Sequence, residues 1–155
     1  MKLLRAADGK FLFQLAKREK HLLIEVLNLY PRIPSGHQPL SKSLKHPDRD
    51  ANQGLLNEAL AEQRAECKKH LTAFLADPQR FKEDQTGCRL SLSGSEPEWL
   101  LQILNDIRVG SWISLGSPEP PMEIKLLNAQ TAPHFWAMEM AGHFQMQLLE
   151  AMEGK

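Results

Sequence analysis

Apolar and polar residues recur along the chain with two different periods, and the changes of period mark its elements. Near the start, Lys2 to Arg5 and Lys10-Phe11-Leu12-Phe13-Gln14-Leu15 flank the dipeptide Asp8-Gly9. Asp-Gly between short apolar runs predicts a β-hairpin. A hairpin alone is marginal in water, so it needs another strand or a helix to rest on. Cys88-Arg89-Leu90-Ser91-Leu92 alternates strictly, as a half-buried strand does. It is expected to join the hairpin as a third strand. Phe81 to Gly87 reads as a linker.

Elsewhere the period is helical. Ala16 to Tyr30 places Leu22, Leu23, Val26, Leu27 and Tyr30 on one face, and Pro31 ends it. A second helix starts from a cap at Asp48 or Asp50 and runs to about Ala76. Its stripe is Leu56, Leu60, Gln63, Cys67, Leu71 and Phe74, and Asp77-Pro78 stops it. Residues 31–48, with Pro31, Pro34, Pro39 and Pro47, read as an exposed loop between the two. A last helix is capped by Thr131, carries Pro133 in its first turn and reaches about Met152. Before it, Gly116 to Pro121 is a stiff connector and Met122 to Asn128 a helical turn or short helix.

The remaining helix, from Ser95 to Gly116, organises the rest. Ser95 is a natural N-cap, Pro97 sits where a missing amide hydrogen costs nothing, and Glu98 completes a capping box. Gly116 followed by Ser117-Pro118 is a stop signal. Leu100, Ile103, Leu104 and Ile107 form a wide apolar face, and Gly110 and Ser111 allow close approach. Gln102, Asn105, Asp106 and Val109 form a narrow stripe. Arg108 falls outside it, near Leu101, Leu104 and Trp112, where a guanidinium must snorkel or find a partner. Asp106 is not that partner locally, because residues two apart on a helix diverge.

Two readings of Asn105, Asp106 and Arg108 follow. They form a polar network tying this helix to a neighbour, or they line a small binding pocket with Trp99 and Trp112. Trp136, early in the last helix, is a further candidate for aromatic lining.

These elements predict a mainly α, α+β domain spanning residues 1–155. It is a three- to four-helix bundle with a small antiparallel sheet, made of the N-terminal hairpin and the strand near 88–92. Nineteen Lys and Arg balance nineteen Asp and Glu, which argues against a nucleic-acid partner. The balance is uneven along the chain. Residues 1–50 hold ten basic against five acidic side chains, and residues 96–155 hold three against eight. Such ends neutralise each other in one fold or steer a partner. No stretch approaches the roughly 20 apolar residues of a membrane span, and the start of the chain has no signal-peptide pattern. Cys67 and Cys88 show no framework spacing. Both points suit the cytoplasm.

The chemistry of known sites is largely missing. Cys67 and His70 have an acceptable metal-ligand spacing, but no CxxC accompanies them, so no metal is expected. Glu66 with His70 and Glu139 with His143 are four apart, not three as in di-iron bundles. No phosphate cradle and no nucleophile elbow occurs, so neither a cofactor nor catalytic residues are expected. Met138, Met140, Met146 and Met152 give the last helix an adaptable apolar surface or ordinary core filling.

The run Trp99-Leu100-Leu101-Gln102-Ile103-Leu104-Asn105-Asp106-Ile107-Arg108 resembles the signature of a small bacterial family of unknown function. That signature is Trp-Leu, three residues, Asn-Asp, an aliphatic residue and Arg. The family is often encoded beside the Clp protease adaptor ClpS in actinobacteria. The order of elements is similar, as are Trp136 and Gln145-Met146-Gln147-Leu148-Leu149 in the closing helix. After Arg108 the family continues Leu-x-Leu-Gly, whereas this chain has Val109-Gly110-Ser111-Trp112. The resemblance implies a cytoplasmic bacterial protein and a link to regulated proteolysis through gene neighbourhood. The sequence therefore points to a non-catalytic protein-interaction or regulatory module, with a protein partner or self-association. The alternative is a small-molecule-binding protein or enzyme with a pocket near Asn105, Asp106 and Arg108.

Overall fold

The structure, a computed structural model, describes residues 1–34, 49–119 and 127–154. It is a mixed α+β fold. Strands β1 (Lys2–Ala7) and β2 (Lys10–Leu15) form the expected hairpin around Asp8-Gly9, both with positive φ. Helix α1 (Lys17–Leu27) follows, then α2 (Arg49–Ala76), the hairpin of β3 (Phe81–Asp84) and β4 (Gly87–Ser93), and helices α3 (Glu96–Ser114) and α4 (Ala132–Glu153).

The sheet is antiparallel with order β1-β2-β4-β3. As anticipated, β4 pairs with β2, setting Phe13 opposite Leu90 and Phe11 opposite Leu92. All four side chains are buried on the helix side, while Lys10, Arg89 and the half-buried Gln14 alternate with them. The expected linker at Phe81 to Gly87 is instead the fourth strand and its turn. Asp84 closes that turn by accepting from the amide and hydroxyl of Thr86, both at 2.8 Å. Gly87 crosses with φ 143°, and a Cβ there would lie 2.2 Å from the Leu15 carbonyl oxygen. Three of the four β3 residues are charged, which protects an edge from pairing but hides its strand character from hydropathy.

One core joins sheet and helices. Leu23, Val26 and Leu27 of α1 pack beneath the sheet with Leu100, Ile103, Leu104 and Ile107 of α3 and Phe144 and Leu148 of α4. Of the expected three- to four-helix bundle, α3 and α4 make one closely packed pair, with α1 laid against both. Ala137 and Ala141 of α4 are buried, and small residues let helix backbones approach. Helix α2 enters the core through its C-terminal part, where Leu71 and Phe74 are buried, whereas Leu55 near its start is 65 % exposed.

The helix ends partly differ from expectation. Gly116 does end α3: its amide donates to the Ile113 carbonyl and that of Ser117 to the Trp112 carbonyl, a Schellman motif. The Ser95 hydroxyl makes no capping bond. Next to it, the Glu96 carboxylate accepts from the Ser93 amide and is gripped by both Nη atoms of Arg80 at 2.5 Å. At α4 the Thr131 hydroxyl faces backwards to the Asn128 amide, and Asn128 Oδ1 accepts from the amides of Gln130 and Thr131. The side chains of Asp48 and Asp50, most of the 31–48 loop and most of the Met122–Asn128 segment lie outside the described residues.

Candidate functional site

The three residues singled out on α3 part company around its axis. At about 100° per residue, Asp106 and Arg108 face nearly opposite ways. Asp106 turns toward residues 30–34, which leave the end of α1. Its Oδ1 accepts from the backbone amides of Arg32 at 2.6 Å and Ile33 at 3.3 Å. One turn later Gly110 meets the same segment, and a methyl group there would lie 2.4 Å from the Arg32 carbonyl carbon. Arg32 also donates from Nη2 to His134 Nδ1 of α4 at 2.7 Å. The segment is thus held to α3 by a carboxylate and a bare backbone, and to α4 by a guanidinium.

Beside Asp106 lies a cavity of about 230 Å³ between α2, α3 and this segment. Tyr30, Gln63, Arg64, Cys67, Gln102 and Asp106 supply its polar groups. Burial above all, then the hydrogen bond to the Cys67 thiol, pushes the Tyr30 phenol well above its usual value. Nearby Asp106 raises it further and Arg64 opposes this, so both charges act on one hydroxyl.

Arg108 turns the other way. Its Nη2 donates to Asn105 Oδ1 at 3.1 Å across one helical turn, and both residues are exposed. Its stem runs over α4, where a Cβ at Gly142 would lie 3.6 Å from Arg108 Cδ, an ordinary contact. Arg108 thus snorkels, with its stem on the α3–α4 seam and its head in solvent. Two shallow hollows of about 740 and 210 Å³ adjoin it, and both include Arg108 and Met138. Met146 and Leu149 edge the larger and Trp112 the smaller, at 62 %, 44 % and 39 % exposure. Glu139, His143 and Gln145 also line the larger hollow, so together they make one mixed groove in which a cation, a carboxylate and exposed apolar side chains adjoin.

The tryptophans do not share a pocket. Trp99 packs edge-on against His70 and Phe74 of α2, with ring centroids 4.5 and 5.3 Å away. Trp112 edges the groove and donates from Nε1 to the Pro118 carbonyl at 2.9 Å. Trp136 is half exposed and lines neither the cavity nor the groove. The methionines divide as well: Met140 and Met152 pack on the core, whereas Met138 and Met146 line the groove.

Cys67, His70 and Cys88 are separately engaged, by Tyr30, by Trp99 and within β4. Among the described residues no group of three or more His, Cys, Asp or Glu side chains is placed to hold a metal ion. No helix among them is long and apolar enough to cross a membrane. Sequence reasoning did not single out Tyr30, Arg64 or Arg32. Each acts across an interface formed by distant segments, and no local signal marks such a role. Compared with known proteins, the chain matches no family model, no curated protein and no solved structure.

Proposed function

We propose that this protein is a non-catalytic interaction module whose α3–α4 groove receives an amphipathic helix of a partner protein. What supports the reading most is the exposed apolar rim of Met146, Leu149 and Trp112 around Arg108. Scattered exposed apolar residues are ordinary, but a contiguous set along a helix seam marks a recognition surface. Methionines suit it because they repack against varied partners. The groove also carries charges of both signs, Arg108 and Glu139, which do not pair with each other among the described residues. Arg108 bonds to a neutral amide, and no carboxylate pairs with it among the described residues. The fitting occupant is therefore a helix whose apolar stripe is flanked by one Asp or Glu for Arg108 and one Lys or Arg for Glu139, docked as a helix in a groove. The resemblance of the α3 signature to a family encoded beside ClpS makes components of regulated proteolysis in a bacterial cytoplasm the first partners to try.

Site-specific photo-crosslinking in cells tests this. A crosslinking side chain at Met146 or Leu149 is expected to give one discrete heteromeric adduct that Arg108→Glu removes. The same group at the exposed Ala73 of α2 serves as the control. No adduct beyond the control, or adducts only with a second copy of this chain, would overturn the proposal.

A further inference from the structure

The cavity beside Asp106 lies on the other side of α3 from the groove and stands independently of the docking reading. Its walls carry one charge of each sign, and the charges are not paired with each other. Asp106 spends Oδ1 on the Arg32 and Ile33 amides, while Oδ2 accepts no hydrogen bond among the described residues. Arg64 pairs with no carboxylate among the described residues. Gln63 and Gln102 add side-chain amides with no bond to another described residue, and Ile33, Leu60 and Ile103 supply an apolar side.

Unpaired groups of opposite sign lining one hollow discriminate among ligands. A simple carboxylate would suit Arg64 but meet Asp106 as a like charge. A simple amine would suit Asp106 but meet Arg64. Each leaves one partly desolvated charge unmatched, and such charges are costly. A molecule carrying both groups matches both and brings no net charge. Size narrows the choice. At about 230 Å³, the hollow has room for a molecule of amino-acid size.

We propose that the cavity between α2, α3 and residues 30–34 binds a small zwitterion of amino-acid type, with its carboxylate on Arg64 and its ammonium on the free oxygen of Asp106. Gln63 and Gln102 are placed to bond the remaining polar atoms. The apolar side receives an aliphatic side chain, and Tyr30 and Cys67 line the same hollow.

Isothermal titration of the full chain with the complete set of proteinogenic amino acids tests this. At least one is expected to bind saturably with one site per chain. The matching acid without the amino group, and the matching amine without the carboxylate, should each bind at least tenfold more weakly. Arg64→Gln should lower affinity at least tenfold while leaving the urea midpoint unchanged, because Arg64 makes no hydrogen bond or ion pair among the described residues. Asp106 is left intact, since its other oxygen holds the backbone. No saturable binding at millimolar amino acid would overturn the proposal. So would an acid that binds as tightly as its amino acid, or an Arg64→Gln protein that binds like its parent. None of these results touches the groove.

Discussion

Asp106 and Arg32 lie 74 residues apart and are joined by a 2.6 Å hydrogen bond from the Arg32 amide to the Asp106 carboxylate. The same oxygen takes the Ile33 amide. Helix α3 thereby holds a partly buried piece of backbone that belongs to no helix or strand. Asp106→Ala leaves both amides without an acceptor. Because bonds to a charged group are worth about 1.5–3 kcal/mol each and are not additive, a total loss of about 2–4 kcal/mol is expected. Asp106→Asn should cost less, since its amide oxygen still accepts. Urea unfolding of the two variants checks both the size and the order of the losses.

Gly110 serves the same contact through the absence of a side chain. Gly110→Ala forces the Arg32 backbone away from α3 and should cost roughly 1–3 kcal/mol, the usual penalty of overpacking. Gly54 of α2 is the contrasting case, because nothing lies within 4 Å of a Cβ there. Gly54→Ala should stabilise by about 0.5–1 kcal/mol through helix propensity. Opposite shifts of the two urea midpoints are the expected result.

Ser111 is fully buried in α3, and its hydroxyl has no hydrogen-bond partner among the described residues. Removing an unsatisfied buried hydroxyl relieves a desolvation cost. Ser111→Ala is therefore expected to raise stability by up to about 1 kcal/mol, read as an upward shift of the thermal midpoint.

Asp84 sets an acid limb. The Thr86 hydroxyl bonded to it lowers its carboxyl most, burial opposes this, and the Thr86 amide and Arg89 add to the lowering. A carboxyl lowered by folding contributes stability that is fully present above its ordinary value of 3.8 and is lost as pH falls through the lower folded value. Asp84→Asn should flatten the fall in stability on the acid side while changing its shape little at neutral pH. Unfolding midpoints measured at descending pH show whether it does.

What could be read from the sequence was what depends on local pattern. The Asp8-Gly9 hairpin, the alternation of Cys88 to Leu92, the helical stretches and the Gly116 stop are written in neighbouring residues. What escaped depends on partners far away. The Phe81–Asp84 strand has one apolar residue and is made a strand by pairing with β4. Ser95 has the right chemistry for a cap but makes no capping bond, and the Arg80–Glu96 pair beside it joins the residue before β3 to α3 across 16 residues. The polar residues of α3 were visible as a group, as was the divergence of Asp106 from Arg108. That Asp106 holds residues 32 and 33 and that Arg108 lies over Gly142 were not legible, because both contacts join segments distant in sequence.

Two roles are thus assigned to two faces of α3, a lock at Asp106 and a docking surface at Arg108. The most direct test is the stability of Arg108→Ala measured beside that of Asp106→Ala in the same urea titration. The exposed Arg108 should change stability by no more than about 0.5 kcal/mol, while its removal abolishes crosslinking from Met146. A loss for Arg108→Ala of about 3–5 kcal/mol, the range of a broken buried ion pair, would make it part of the lock and contradict the division.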